Sequence, residues 1–166
     1  MSISDVRVGQ GFDIHRFSDD PERHLVLGGI HFDGERGLVG HSDADVVAHA
    51  CADALLGAAG LGDIGQHFPD TDPRWKDADS VVILREVVSI VAGDGWRVGN
   101  IDCSVVCESP KLAPRRDDMQ RVLSEVVGAP VSVKGRRAEG LGAIGRGEGI
   151  ACWASAVLIR TAERNV

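Results

Sequence analysis

Apolar positions along this chain fall into short alternating runs and longer helical ones, separated by turn formers, and they predict five strands and three helices. Residues 6–12 and 25–32 read as the strands of an opening hairpin, joined through the polar turn formers of 18–22. Ser42 or Asp43 caps a helix running to residue 59, with Asp43 and Asp45 well placed in its first turn, and Gly57, Gly60 and Gly62 end it. Residues 61–73 carry too much glycine, proline and aspartate for a helix or a central strand, so they predict a loop. In 80–92, Val81, Leu84, Val88 and Val91 recur at helical spacing with apolar residues between them, which predicts a mostly buried helix stopped by Gly93 and Gly95. A long strand over 96–108, a helix from Pro114 to residue 127, a short strand over 131–134 and a closing strand over 150–160 complete the pattern.

The order β-β-α-α-β-α-β-β has no sustained βαβ alternation and no internal repeat. The fold class expected is therefore α+β: a single domain over 1–166, with a mixed four- to five-stranded sheet and helices on one face. In the last strand Ile150, Cys152, Ala154, Ala156 and Leu158 point one way, and Ala151, Trp153, Ser155, Val157 and Ile159 the other, so both faces are apolar. Three helices cover one face of such a sheet and not two, and the second face is expected to meet further copies of the chain in a homo-oligomer.

Composition narrows the function more than the fold. A chain of 166 residues, 43% of them apolar, suits one domain around one core and leaves no room for a second catalytic domain. No basic-then-apolar leader and no apolar run of about 18 residues is visible, so the chain is expected to be soluble, cytoplasmic and without a membrane partner. A formal charge of −7 argues against a nucleic-acid partner but allows an anionic small substrate where metal ions and local arginines supply positive charge. Cys51, Cys103, Cys107 and Cys152 lie in apolar segments without a CxxC pair and read as buried reduced thiols.

Candidate chemistry concentrates in two segments. Asp13 and His15 in GFDIH are spaced i, i+2 and share one face of a strand, and His49 at the end of GHSDADVVAH arrives from a helix. One carboxylate and two imidazoles leave a tetrahedral zinc one open position, the arrangement of a catalytic site. Each histidine alone also reads as an ordinary surface or core residue, and His24 and His31 have no partner in the pattern. Asp53, one turn after His49, either accepts a proton from its ring or solvates the helix. In GHSD, His41, Ser42 and the following helix start suit a phosphate, or form a plain cap. Lys134, Gly135, Arg136 and Arg137 cluster before Glu139, which can hold magnesium against phosphates or lie in a solvated turn. GRGEGI pairs Arg146 with Glu148 among three glycines, a weak signal by itself.

The ordered set GFDIH, GHSDADVVAH, DALLGAAGLGDIGQHFPDTDP, SPKLAP and GRGEGIA resembles, over nearly the whole chain, the 2-C-methyl-D-erythritol 2,4-cyclodiphosphate synthase family. The resemblance implies conversion of 4-diphosphocytidyl-2-C-methyl-D-erythritol 2-phosphate to the cyclic diphosphate with release of CMP, in the non-mevalonate isoprenoid pathway. Asp13, His15 and His49 match the family's zinc ligands, and Glu139 matches the ligand of a second divalent cation, Mg2+ or Mn2+. His41, with Ser42, matches the loop that steadies the methylerythritol phosphate, and His41 the transition-state stabiliser; Asp13, Ile14 and His15 also border the substrate. Asp63, Ile64 and Gly65 match contacts to its sugar-like part, and Phe68, Pro69, Asp70, Thr71 and Asp72 line the methylerythritol side. Cys107, Glu108, Ser109, Pro110, Lys111, Leu112 and Ala113 match the cytosine pocket, and Arg136, Arg137 and Ala138 precede the metal glutamate.

The family resemblance further implies a homotrimer with sheets facing a central axis, active sites between neighbouring subunits, and an isoprenoid diphosphate held in the central cavity by Arg146 near Ala143. One departure stands out. The family's K-A-T-T-T-E reads Lys134, Gly135, Arg136, Arg137, Ala138, Glu139 in this chain, so Arg137 occupies the place of a threonine that contacts phosphate, and either takes over that catalytic contact, the expectation adopted, or by its length crowds the cytidine diphosphate. The rivals are a metal-dependent hydrolase of nucleotide diphosphate esters, which closure by Phe68 would separate by excluding water, and a non-catalytic isoprenoid-diphosphate binder.

Overall fold

The strand with two apolar faces takes an inner place in the sheet. In the computed structural model, which describes residues 5–161, β6 (Gly149–Arg160) lies between β1 (Val6–Arg16) and β4 (Trp96–Val106), antiparallel to both, and β5 (Val131–Arg136) adds parallel to β4 at the far edge. The order β1-β6-β4-β5 makes one mixed four-stranded sheet, and β1, β4 and β5 all end at the same end of it. Asp13, Cys152, Val105 and Gly135 are register partners in one row across it.

Helices α1 (Val46–Ala59), α3 (Ser80–Gly93) and α4 (Arg116–Val127) pack on one face, as expected, and the core lies between them and the even-numbered face of β6. The opposite face exposes Val8, Phe12, Ile14 and Trp153, with Phe12 and Trp153 in ring contact. The contact that brings α1 to the sheet is made by glycine: a Cβ on Gly9 would stand 2.1 Å from the Ala54 carbonyl oxygen, and one on Gly11 2.0 Å from that of Ala50. Backbone lies directly on backbone there, which sets His49 of α1 over Asp13 of β1.

Several sequence expectations are corrected. The expected opening hairpin does not form, because β1 pairs with β6 along its whole length. The apolar run of 25–32 instead folds back on itself as β2 (His24–Leu27) and β3 (Ile30–Arg36), a separate two-stranded sheet. Gly28 and Gly29, both at positive φ, form its two-residue turn. The cap of α1 is Asp45, whose Oδ1 accepts from Val47 and Ala48, not Ser42 or Asp43. Its two carboxylate oxygens also accept from Gly28 and Gly29, tying that turn to the helix start. The loop of 61–73 contains one helical turn, α2 (Ile64–His67), capped by Asp63. Helix α3 is one-sided, not mostly buried: Ile83, Leu84, Val87 and Val91 are buried while Val82 faces solvent. A last short helix, α5 (Gly142–Gly145), precedes β6. Among the described residues no helix is long and apolar enough to cross a membrane.

Candidate functional site

Asp13, His15 and His49 meet as their spacing predicts. Asp13 Oδ2 lies 3.1 Å from His15 Nε2 and 3.0 Å from His49 Nδ1, and all three ligand atoms fall within 4.8 Å of one another. Tetrahedral zinc with bonds near 2.0–2.1 Å holds neighbouring ligand atoms about 3.3 Å apart, so one carboxylate and two imidazoles at this separation fit the ion and leave a fourth position. Burial opposes ionisation of Asp13, but hydrogen bonds from His15 and His49 and their charge outweigh it, and the carboxyl sits well below its usual range. Burial likewise opposes charge on His49, and Asp13, Asp45 and Asp43 overcome it and raise its pKa.

The ring of His49 is oriented from behind by a group the sequence did not suggest. Ser80 Oγ lies 2.8 Å from His49 Nε2 and donates its own proton to Asp43 Oδ1, so it accepts from Nε2–H. With Nε2–H given to Ser80, Nδ1, which donates to Asp13 in the metal-free site, is the nitrogen that would give up its proton to a metal. Asp53 does not take this role: its carboxylate accepts the backbone N–H of Ile64, 2.8 Å away. Ser80 is buried, and its only sequence signal is its place at a helix start.

The trio opens into a cleft whose other walls are His41, Ser42, Ile64, Phe68, Asp70, Trp75 and Ile83. Trp75 and Ile83 were not anticipated; an aromatic residue in so polar a loop is the signal that could have found Trp75. Phe68 packs edge-on against Trp75 at 4.9 Å, whose indole N–H is buried with no partner. Asp45 takes the Val47 and Ala48 N–H groups of the α1 start, so the groups that the GHSD segment brings to the cleft are the side chains of His41 and Ser42. His41 contacts the Asp72 carbonyl, 3.3 Å from its Nε2.

A second cleft of about 300 Å³ lies where β4 and β5 end, lined by Cys107, Glu108, Pro110, Lys111, Leu112 and Ala113, with Arg136 and Arg137 from the basic cluster. Gly135 of the same cluster lines it too, and Arg116 and Val133, which were not anticipated, complete it. Lys134 leaves the cluster and pairs with Asp102 on the open face of the sheet. Glu108 accepts from Arg137, whose hydrogen bonds and charge hold the carboxyl below its usual range.

Other expected site residues stand apart. Ile14 projects to the open face, half exposed. Asp63 and Gly65 belong to the α2 turn, Pro69 and Thr71 to the loop after it, Asp72 pairs with Arg74, and Ser109 lines a separate surface groove. Ala138 donates its backbone N–H to Glu108, Glu139 follows in the left-handed region at φ 53°, and Ala143 lies in α5. Arg146 is paired with Glu148 at 2.6 Å. The four cysteines are buried and free, with Cys51 and Cys103 Sγ 3.4 Å apart, and His24 and His31 do find a partner, stacking edge-on against each other.

Fold and site define a small α+β protein with one carboxylate and two imidazoles grouped so that they could hold a metal ion, and a cation-rimmed slot at the same end of its sheet. The YgbB family matches residues 6–159, and the chain belongs to that family, in agreement with its ordered motifs. It is 55% identical to the 2-C-methyl-D-erythritol 2,4-cyclodiphosphate synthase of Rubrobacter xylanophilus, over 93% of this chain and 95% of that protein. It is 54% identical to the bifunctional enzyme IspD/IspF of Anaeromyxobacter dehalogenans, over 95% of this chain, and spans 41% of that longer protein. Among solved structures, the CDP complex of Plasmodium falciparum IspF superposes with a TM-score of 0.82 at 33% identity, covering 97% of this chain and 100% of that one.

Proposed function

We propose that this chain converts 4-diphosphocytidyl-2-C-methyl-D-erythritol 2-phosphate to 2-C-methyl-D-erythritol 2,4-cyclodiphosphate and CMP, a phosphorus–oxygen lyase step of the non-mevalonate isoprenoid pathway. The observation that carries it is the Asp13, His15 and His49 trio opening into one cleft while a cation-rimmed slot sits at the same end of the sheet. A 2-phosphate oxygen bonds to the β-phosphorus, the bond from that phosphorus to the bridging oxygen breaks, and CMP leaves with the oxygen; no water is consumed. Such a step needs no protein nucleophile. It needs two phosphates held in line with their charge met.

In this reading zinc at Asp13, His15 and His49, with Mg2+ or Mn2+ at Glu139, supplies Lewis-acid neutralisation of phosphate charge. His41 and Ser42 steady the methylerythritol phosphate, the Phe68–Trp75 wall excludes water, and the slot takes the cytosine. Arg137 meets the diphosphate at the position where the family resemblance implies a threonine.

The backbones of Asp13 and Gly135 are separated by three strand spacings of about 4.8 Å, roughly 14 Å, so cleft and slot stand at opposite edges of one sheet. A homotrimer in which the β1 edge of one copy meets the β5 edge of the next would join them, and its axis would cover the exposed Val8, Phe12, Ile14 and Trp153. An isoprenoid diphosphate binding Arg146 in such a central cavity would displace Glu148. We read 1–166 as one synthase unit acting in the cytoplasm.

Phosphorus NMR of the protein with zinc, magnesium and the cytidylated substrate tests the reaction. Two coupled ring phosphorus signals together with CMP are expected. CMP beside an uncyclised phosphate would replace cyclisation with hydrolysis, and no turnover would leave only a binding protein. A monomeric mass by light scattering would refute the trimer.

A further inference from the structure

The slot combines an apolar floor of Pro110, Leu112, Ala113 and Val133 with a rim of Lys111, Arg116, Arg136 and Arg137. Glu108 is the one acid among its described lining residues, in a chain whose formal charge is −7. That is the chemistry of a flat ring carrying an anionic tail. Glu108 divides its oxygens: Oε1 accepts the Ala138 N–H at 2.9 Å, and Oε2 accepts Arg137 Nε–H at 2.9 Å and Nη2–H at 2.7 Å. The Glu108 side chain is 17% exposed and that of Arg137 70%, so the carboxylate is the anchored partner.

A guanidinium carries five N–H groups in one plane. Glu108 engages one on Nε and one on Nη2, along a single edge. The remaining N–H of Nη2 and the two of Nη1 stay on the other edge, where two adjacent donors match two oxygens of a phosphate. We propose that this free edge of Arg137 is a phosphate fork for the diphosphate of a nucleotide whose base enters the slot, and that Glu108 is the positioning residue that sets the plane of the fork. The proposal rests on the reading of the slot as a cytidine site. A long side chain already tethered at its head has fewer rotamers to lose when the ligand arrives, so Glu108 acts on affinity without touching ligand.

Calorimetric titration of the zinc-loaded protein with cytidine and with CDP separates the parts. Glu108→Ala and Arg137→Thr should each weaken CDP about tenfold, the scale of one charge-assisted pair, while cytidine affinity stays within about twofold. The double variant should be no weaker than Arg137→Thr alone, because the two residues act as one device. Glu108→Gln, which keeps an acceptor oxygen, should recover part of the loss and serves equally if Glu108→Ala fails to fold. Tighter CDP binding by Glu108→Ala or Glu108→Gln would make Glu108 a competing anion and overturn the proposal. So would equal losses for cytidine and CDP, or losses that add in the double variant. A wild-type protein that binds neither ligand would refute the nucleotide reading of the slot itself.

Discussion

Alanine at Gly11 and alanine at Gly57 are the same chemical change on two sides of one helix contact, and the structure demands opposite outcomes. At Gly11 the new Cβ would lie 2.0 Å from the Ala50 carbonyl oxygen and 2.6 Å from the Ala54 nitrogen, whereas ordinary contact begins near 3.4 Å. Both obstacles are backbone, so α1 as a whole must retreat by more than about 1 Å, with an overpacking penalty of about 1–3 kcal/mol. At Gly57 the nearest atom outside the helix, the Gln10 carbonyl oxygen, would be 3.7 Å from the new Cβ. There the higher helix propensity of alanine is free to stabilise the protein by about 0.5–1 kcal/mol.

The retreat matters for chemistry because His49 precedes Ala50 on the moving helix and its Nδ1 stands 3.0 Å from Asp13. A displacement of about 1 Å at one ligand of a preorganised site is of the size that costs about a hundredfold, so Gly11→Ala should weaken zinc by that order. Urea denaturation of the zinc-free proteins gives the stability difference, and competition with a chromophoric chelator gives the zinc affinity. Zinc binding by Gly11→Ala within about threefold of wild type, about 0.7 kcal/mol, would refute the claim that this contact places His49. A destabilised Gly57→Ala would refute the packing argument.

Ser80→Ala should lower zinc affinity about tenfold by removing the nearer of the two hydroxyls on His49 Nε2, with Ser42 Oγ left at 3.2 Å, while Asp53→Asn should leave it nearly unchanged; the reverse order would restore Asp53 as the orienting group. Because the pKa of His49 is raised above its ordinary 6.5 in the metal-free protein, a proton competes with zinc there, and the affinity should keep rising with pH beyond about 6.5, where an unperturbed imidazole would level off. A flat chelator-competition profile between about pH 6 and 7 would contradict that sign. Raising salt from about 0.05 to 0.5 M should weaken CDP, whose fork is exposed, and leave zinc binding unchanged when both are titrated in the same buffers. Chelation should abolish turnover with the far-ultraviolet circular dichroism intact, and zinc should restore it; a lost spectrum would make the ion structural.

How much was legible depended on how local each signal is. Asp13 and His15 declare their common face by an i, i+2 spacing, and β6 declares two apolar faces by apolar residues on both parities, so neither needs a partner to be read. Strand pairing is non-local. The run 25–32 gave the right residue types, but Gly28 and Gly29 inside it, not the polar stretch at 18–22, mark the tight turn, and β1 found its partner at the far end of the chain. The helix cap was misplaced by two or three residues because Ser42, Asp43 and Asp45 are all capable caps, and only the Gly28–Gly29 turn selects Asp45. Ser80 was invisible because it reaches His49 from 31 residues away. The basic cluster was read as a unit, and the structure divides it: Lys134 pairs with Asp102, while Arg136 at the strand end and Arg137 beyond it line the slot.

The two halves of the site draw their order from different physics, and that difference predicts which of them can absorb a side-chain exchange. The metal trio depends on α1 lying on β1 with glycine between two backbones, a contact that no side chain can replace and that fixes His49 and Asp13 together. The slot is made from the ends of β4 and β5 and the turns beyond them, where Arg137 on the rim is held by a side-chain pair that can be rebuilt. A threonine exchanged for arginine at position 137 would leave a longer, charged group at the mouth of the slot, and Glu108 supplies the second carboxylate oxygen that tethers it while the first keeps the 138 backbone in place. Electrostatic pairing can thus be re-engineered locally at an exposed rim, whereas the close approach of strand and helix leaves the GxG of β1 no alternative.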